Sequence, residues 1–225
     1  HRDRGPHWWV RAEQDWQALT GRWTPHLLGR AMIHLARVDA EPEVRTAAAS
    51  LGARLGALLP GGGPYGPGLP VAGPLALWEL ADGDDGRAER RFLLARAPDA
   101  DARASAWVWS RGDTAIPPLA RYLLHAAKLR YQLRVWRRDG RTRAVRGALD
   151  GLAAELRRLG ADDTALAELL RLRRLEALLL HSDLRELRQT VEIAADNLGR
   201  AFDLDGPVTA AGPFAEDAGL ARALL

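Results

Sequence analysis

The stretch Thr164-Ala-Leu-Ala-Glu-Leu-Leu-Arg-Leu-Arg-Arg-Leu-Glu-Ala-Leu-Leu-Leu180, continued without proline to Ala201, decides how this chain is to be read. Leu166, Leu170, Arg173, Ala177, Leu180, Leu184, Leu187, Val191, Ala194, Leu198 and Ala201 recur in it at alternating intervals of four and three. That is one side of a continuous α-helix whose apolar seam is sustained for roughly five heptads, the pattern of a helix packed lengthwise on others. At 1.5 Å per residue it spans on the order of 60 Å. Leu172, Leu175, Leu178 and Leu179 lie off the seam and predict a second apolar contact for the same helix.

Two helices precede it. Pro117-Pro118 opens one that runs through Trp136, and Asp139-Gly140 ends it with glycine supplying the C-terminal turn. The next runs from about Thr142 to Leu159 and stops at Gly160. Further upstream the period changes. Leu75-Ala-Leu-Trp-Glu-Leu80, Arg91-Phe-Leu-Leu-Ala-Arg96 and Ala104-Ser-Ala-Trp-Val-Trp-Ser110 are short runs that predict a three-stranded antiparallel meander over 74–113, with Asp82-Gly-Asp-Asp-Gly86 as its first turn. The Gly/Pro-rich stretch over 60–70 excludes a helix or a central strand, because its prolines lack donors, and reads as a linker or exposed loop. Before it, Trp8 to Val38 reads as two helices, the second opened by Thr24 and Pro25, and Pro42 to Leu59 as a third. The fold class expected is therefore α+β: N-terminal helices and a meander in 1–116, a long-helix bundle in 117–203, and a tail over 204–225 that leads into a further helix.

Composition narrows the function. The 225 residues suffice for a real core, and there is no cysteine, which removes disulfides, thiolate-held metals and a cysteine nucleophile. Neither a signal-peptide core nor a run of 18 or more apolar residues is present, so the expected location is cytoplasmic, without membrane attachment. Because the chain begins at His1 and stops within an apparently helical run, it is expected to be a piece of a longer protein.

The common catalytic patterns fail on residue type. Lys128, the one lysine, sits inside a helix rather than at the end of a glycine loop, so no phosphate-binding loop is formed. His181-Ser182-Asp183 holds the residue types of a triad, but neighbours on a helix point about 100° apart and cannot chain nucleophile, base and orienter. His26 and His34 are too far apart along the chain to share a metal on one helix. The expectation is a chain with no catalytic centre, no metal and no cofactor.

The helix from Pro118 to Trp136 carries the strongest candidate site. Leu119, Tyr122, Ala126, Leu129, Leu133 and Trp136 make one apolar face, and Leu124, Tyr131 and Val135 a second. Between them runs a stripe of Arg121, His125, Lys128 and Gln132, with Arg130 and Arg134 on the opposite edge. From 121 to 146 nine basic residues face Asp139 alone, about +8 in a chain whose formal net charge is +3. Arg121, His125, Lys128, Arg130, Arg134 and Arg138 are the residues expected to meet a partner or an anion. Stacked cations repel unless a counter-charge sits against them, either an acid of the long helix such as Asp183 or Glu186, or an external acid or phosphate. A nucleic-acid- or nucleotide-sensing role for the Arg-rich hairpin 121–146 is the weaker alternative, since no helix-turn-helix, RRM or zinc-finger pattern accompanies the charge.

Ala106-Trp-Val-Trp-Ser-Arg-Gly-Asp113, Arg121-Tyr-Leu-Leu-His-Ala-Ala-Lys-Leu-Arg-Tyr131 and Leu187-Arg-Gln-Thr-Val-Glu-Ile-Ala-Ala-Asp-Asn-Leu198 resemble the CATRA proteins, the caspase- and tetratricopeptide-repeat-associated proteins of bacterial conflict systems. The resemblance covers most of the chain, and Arg-Tyr-Leu-Leu-His-Ala-Ala-Lys is its specific part. It implies a non-catalytic adaptor or regulatory component of a defence system, with a caspase-like peptidase or a repeat protein as partner. It brings no catalytic residues to carry over.

Overall fold

The computed structural model describes residues 7–20, 27–59, 65–71, 73–80, 87–110, 112, 114–159, 164–202 and 212–225. In chain order the elements are α1 (His7–Thr20), β1 (Arg30–Arg37), α2 (Glu41–Arg45), α3 (Ala49–Gly56), β2 (Leu69–Pro70), β3 (Leu75–Glu79), β4 (Glu89–Arg96), α4 (Asp101–Val108), α5 (Pro118–Arg138), α6 (Arg141–Leu159), α7 (Thr164–Arg200) and, after a short 3₁₀ turn, α8 (Ala215–Leu224).

The α+β class holds, and the C-terminal half follows its periodicity closely. α7 is one unbroken helix of 37 residues. The Arg141 guanidinium meets Asp183 at 3.0 Å, while Arg121 reaches the carbonyl of Ala201 at 2.7 Å. α7 therefore runs back along both α6 and α5, its Thr164–Leu180 half against α6 and the rest against α5. The two shorter helices follow one another along it, broken at Asp139-Gly140. That break differs from the expected glycine turn: the Asp139 carboxylate accepts from the Arg141 backbone N–H at 2.9 Å and caps α6 directly. Backbone hydrogen bonding and the Arg141 guanidinium together hold the Asp139 carboxyl below its ordinary value.

A four-stranded mixed sheet in the order β1-β4-β3-β2 fills the N-terminal half. On one face Leu75, Leu77, Phe92 and Leu94 pack with Trp107 of α4, Tyr122 and Leu129 of α5, and Val191 and Leu198 of α7. The other face, with Ala76, Trp78, Leu93 and Ala95, is covered by Val44 and Leu51 of α2 and α3. A Cβ at Gly52 would stand 2.6 Å from the Trp78 indole nitrogen, and one at Gly68 would also collide with that ring, so both glycines are required for the close approach.

Several N-terminal expectations are corrected. The residues read as a second helix form β1, parallel to β4; Thr24 and Pro25 lie outside the described residues. A strand covered on both faces is almost continuously apolar, and over Leu27 to Leu35 that looks the same as a buried helix. The single helix of 42–59 is two short ones, because Ala47 takes φ 48° and interrupts the ladder. The expected antiparallel three-stranded meander has two of its three strands, β3 and β4; Ala104–Ser110, read as the third, lies largely in α4. There Ala104, Trp107 and Val108 turn toward the core at helical spacing while Trp109 stays exposed. The turn at 82–86 lies outside the described residues. The Gly/Pro-rich loop ends in β2, whose Pro70 sits on the sheet's outer edge, where no donor is needed. The helix expected at the C-terminus is α8.

Candidate functional site

Of the six residues chosen on sequence, the structure brings only some together. Arg121 donates from Nε and Nη2 to the Ala201 carbonyl at 3.2 and 2.7 Å. It thus sits at the negative end of α7, while Asp183, the acid expected opposite it, meets Arg141. His125 follows one turn on, half-buried, with its Nδ1 unpartnered. Lys128, also half-buried, makes no ion pair among the described residues. Arg134 donates to the carbonyl of Leu28 at 2.7 Å and lies over the Tyr131 ring. Arg138 stands exposed at the end of α5.

Arg130 is not on a polar edge. It is buried, and its Nη2 meets Asp217 at 2.7 Å. Asp217, fully buried in the first turn of α8, also accepts from Tyr122 Oη at 2.8 Å and from Arg90 Nη1 at 2.8 Å. Arg90 then clasps Glu79 with two bonds of 2.6 Å, and Arg87 bridges Glu79 at 2.9 Å and Glu216 at 3.0 Å. Three arginines and three carboxylates from β3, β4, the residues just before β4, α5 and α8 balance in one network, as buried charges must. Burial opposes the Arg90 charge, but its bonds to Glu79 and the charges of Asp217 and Glu79 outweigh burial and raise its pKa. Burial, reinforced by the Asp217 charge, keeps the Tyr122 hydroxyl protonated well above the usual tyrosine range.

Glu79, Arg90 and Asp217 were invisible to sequence reasoning apart from one signal: Arg90 shares the apolar face of β4 with Phe92 and Leu94. The network staples the C-terminal helix to the sheet, and its polar groups turn toward one another.

The outward chemistry lies elsewhere. On the half of α7 that runs along α6, Leu172, Leu175, Leu178 and Leu179 are 52%, 59%, 56% and 69% exposed, and Leu169 is 40% exposed. Leu172, Leu175 and Leu179, with Leu169, make a row on the side of the helix turned away from its seam. The seam residues alongside, Leu170, Ala177 and Leu180, are half-buried against α6. The second apolar face read from the sequence is present, and no described element covers it. Among the described residues no group of His, Asp or Glu side chains could hold a metal ion, and no helix is long and apolar enough to cross a membrane.

Two histidines make this structure sensitive to acid. Burial first, then the charges of Lys128 and Arg121, hold His125 below its ordinary value of 6.5. Burial and Arg91 act in the same direction on His34. Both bases take up protons more readily in the unfolded chain, so their contribution is present above pH about 6.5 and is lost as pH falls through the lower folded-state values. Tm is expected to drop between pH about 7 and about 5.5, and the His34→Gln/His125→Gln double variant to drop less. A slope that the double variant leaves unchanged contradicts the assignment.

Two family models together match almost the whole chain. Residues 1–112 match the CASPASE and TPR Repeat-Associated N-terminal domain, and residues 117–225 the CASPASE and TPR Repeat-Associated C-terminal domain. No curated protein and no solved structure matches it.

Proposed function

The chain belongs to the CATRA family, the caspase and TPR repeat-associated proteins, and from that premise we propose that it is a non-catalytic regulatory or adaptor component of a bacterial caspase-associated conflict system. It binds a protein partner, a caspase-like peptidase or a repeat protein, through its helical half. The observation that supports this is the uncovered leucine row of α7. Contiguous exposed apolar surface costs solubility and is characteristic of surfaces that meet other proteins. A helix with one face in its own bundle and leucines on the other is suited to receive a further helix.

Co-expression with a caspase-like peptidase and with a TPR protein of such a system tests the reading. The wild-type chain is expected to co-purify with one of them, and Leu172→Glu/Leu179→Glu to lose the partner while melting within a few degrees of wild type, because both positions are already solvated. Retention of the partner by that variant contradicts the reading.

One observation favours nucleic acid as the alternative: Arg138, Arg143 and Arg146 are exposed around the α5–α6 break. Phosphate binding there would weaken steeply between low and moderate salt, whereas an apolar helical contact would not.

A further inference from the structure

Along its 21 residues α5 carries six arginine or lysine side chains and His125, and it contains no aspartate or glutamate. Leu124, Lys128, Tyr131 and Val135 follow one another at intervals of four, three and four, so they form one row on the side of α5 turned away from its buried face. The three apolar members are exposed, and Lys128 between them is half-buried with no ion pair among the described residues. The charges that act on His125, on the flank of this row, are those of Lys128 and Arg121, and no acid is among them. Acids border the row at its margins. Glu89, toward β1, accepts from Arg30 Nε at 2.8 Å, and at the far end Asp183 and Glu186 share a groove with Gln132 and Trp136, Asp183 being held by Arg141.

Beside the row lies a cavity of ≈ 380 Å³ between β1 and α5, walled largely by Leu28, Ala31, Ile33, Leu123 and Ala127. No acid is among the residues that line it. Leu124 belongs both to the cavity wall and to the row, so the apolar pocket and the cationic surface are continuous. A ligand that fits both must carry an apolar group with negative charge close beside it.

From an acid-free, cationic row that shares Leu124 with an apolar cavity we infer that the groove between α5 and β1 is a docking site for an acidic segment of another protein. An apolar side chain of that segment enters the cavity, and a carboxylate beside it meets Lys128, with Arg121 adding to the positive field. A second copy of this chain is a poorer occupant. Two-fold pairing of α5 on α5 sets cations against cations in every register, because the helix has no acid to offer. The leucine row of a second copy's α7 is no better supplied, since its acids Glu168 and Glu176 are already held by Arg171 and Arg173. A membrane surface fits poorly as well. Leu124 and Val135 are 39% exposed and Tyr131 41%, so more than half of each is covered by its own fold, whereas an interfacial helix sinks its apolar face about 5–10 Å into the lipid. The site is separate from the leucine row of α7 and stands or falls independently of it.

In the test, the full chain selects binders from displayed random linear peptides, and the most enriched peptide is made synthetically as the probe. Its sequence is expected to place Asp or Glu beside a large apolar residue. Lys128→Glu, which strips no described acid of its partner, should weaken the probe at least about tenfold, and a version of the probe with its acids changed to lysine should regain affinity for that variant. The regain also shows that the variant is folded. Ala120→Trp, at an exposed position on the cavity wall, should weaken the probe as well, whereas Leu172→Glu/Leu179→Glu on α7 should leave its binding unchanged. The inference is overturned by selection that enriches nothing or enriches peptides without acids, by a probe that Lys128→Glu or Ala120→Trp leaves unaffected, or by a probe lost on the α7 variant instead. Self-association that grows with concentration and vanishes in Lys128→Glu overturns it too, by putting a second copy in the groove. So do phosphatidylserine vesicles or duplex DNA that bind the wild-type chain and are lost on the same substitution.

Discussion

Asp217→Asn is expected to destabilise the protein by about 3–5 kcal/mol, the cost of leaving a buried charge without its partner. Asp217 is fully buried and holds two buried arginines, Arg90 and Arg130, besides the Tyr122 hydroxyl. Asparagine keeps the volume and one acceptor but removes the negative charge, so three arginines then share Glu79, which is buried, and the half-exposed Glu216. For a chain of this size the loss corresponds to a Tm lowered by roughly 10 °C. Glu216→Gln serves as the internal comparison: 49% exposed, its carboxylate is screened by water, and its replacement should cost less than about 1 kcal/mol. Equal, small effects at the two positions in thermal unfolding would contradict the picture of a buried network carried by Asp217.

The second large effect separates the two faces of α7. Val191 is fully buried against α5 and the sheet-facing core, and Val191→Asp places an unpaired carboxylate there, at a cost of about 3 kcal/mol or more. Leu179→Asp, on the outward row, exchanges one solvated side chain for another and should shift stability by no more than about 0.5 kcal/mol. Leu184 lies between these extremes, since it is half-buried where α5 gives way to α6. Denaturant unfolding of the three variants orders them as Val191, Leu184, Leu179. The reverse order would mean that the seam and the row have been exchanged.

What the sequence revealed depended on the length over which a pattern repeats. α5, α6 and α7 were legible because their apolar spacing persists for many turns and Pro117-Pro118 marks a start. β1 was not. Over Leu27 to Leu35 a few apolar residues suit a buried strand and a buried helix equally, and the arbiter is the neighbour β4, more than fifty positions away. Ala104–Ser110 failed for the opposite reason: its tryptophans and valine favour strand, and packing of Trp107 onto Phe202 in the core overrides that preference. The leucines outside the seam were legible by position, but the second apolar contact expected of them is absent among the described residues, where they stand exposed. The fate of Arg130 could not be read, because the acid that buries it, Asp217, comes from a helix at the far end of the chain.

The claim that the leucine row of α7 is the partner-binding surface is tested most directly by photo-crosslinking in the co-expressed complex. Photoreactive p-benzoylphenylalanine is placed singly at Leu172, Leu179, Arg143 and Arg146. The account predicts covalent adducts to the caspase-like or repeat protein from Leu172 and Leu179, and none from the two arginine positions on α6. Adducts from Arg143 and Arg146 with silence at the leucines would contradict it.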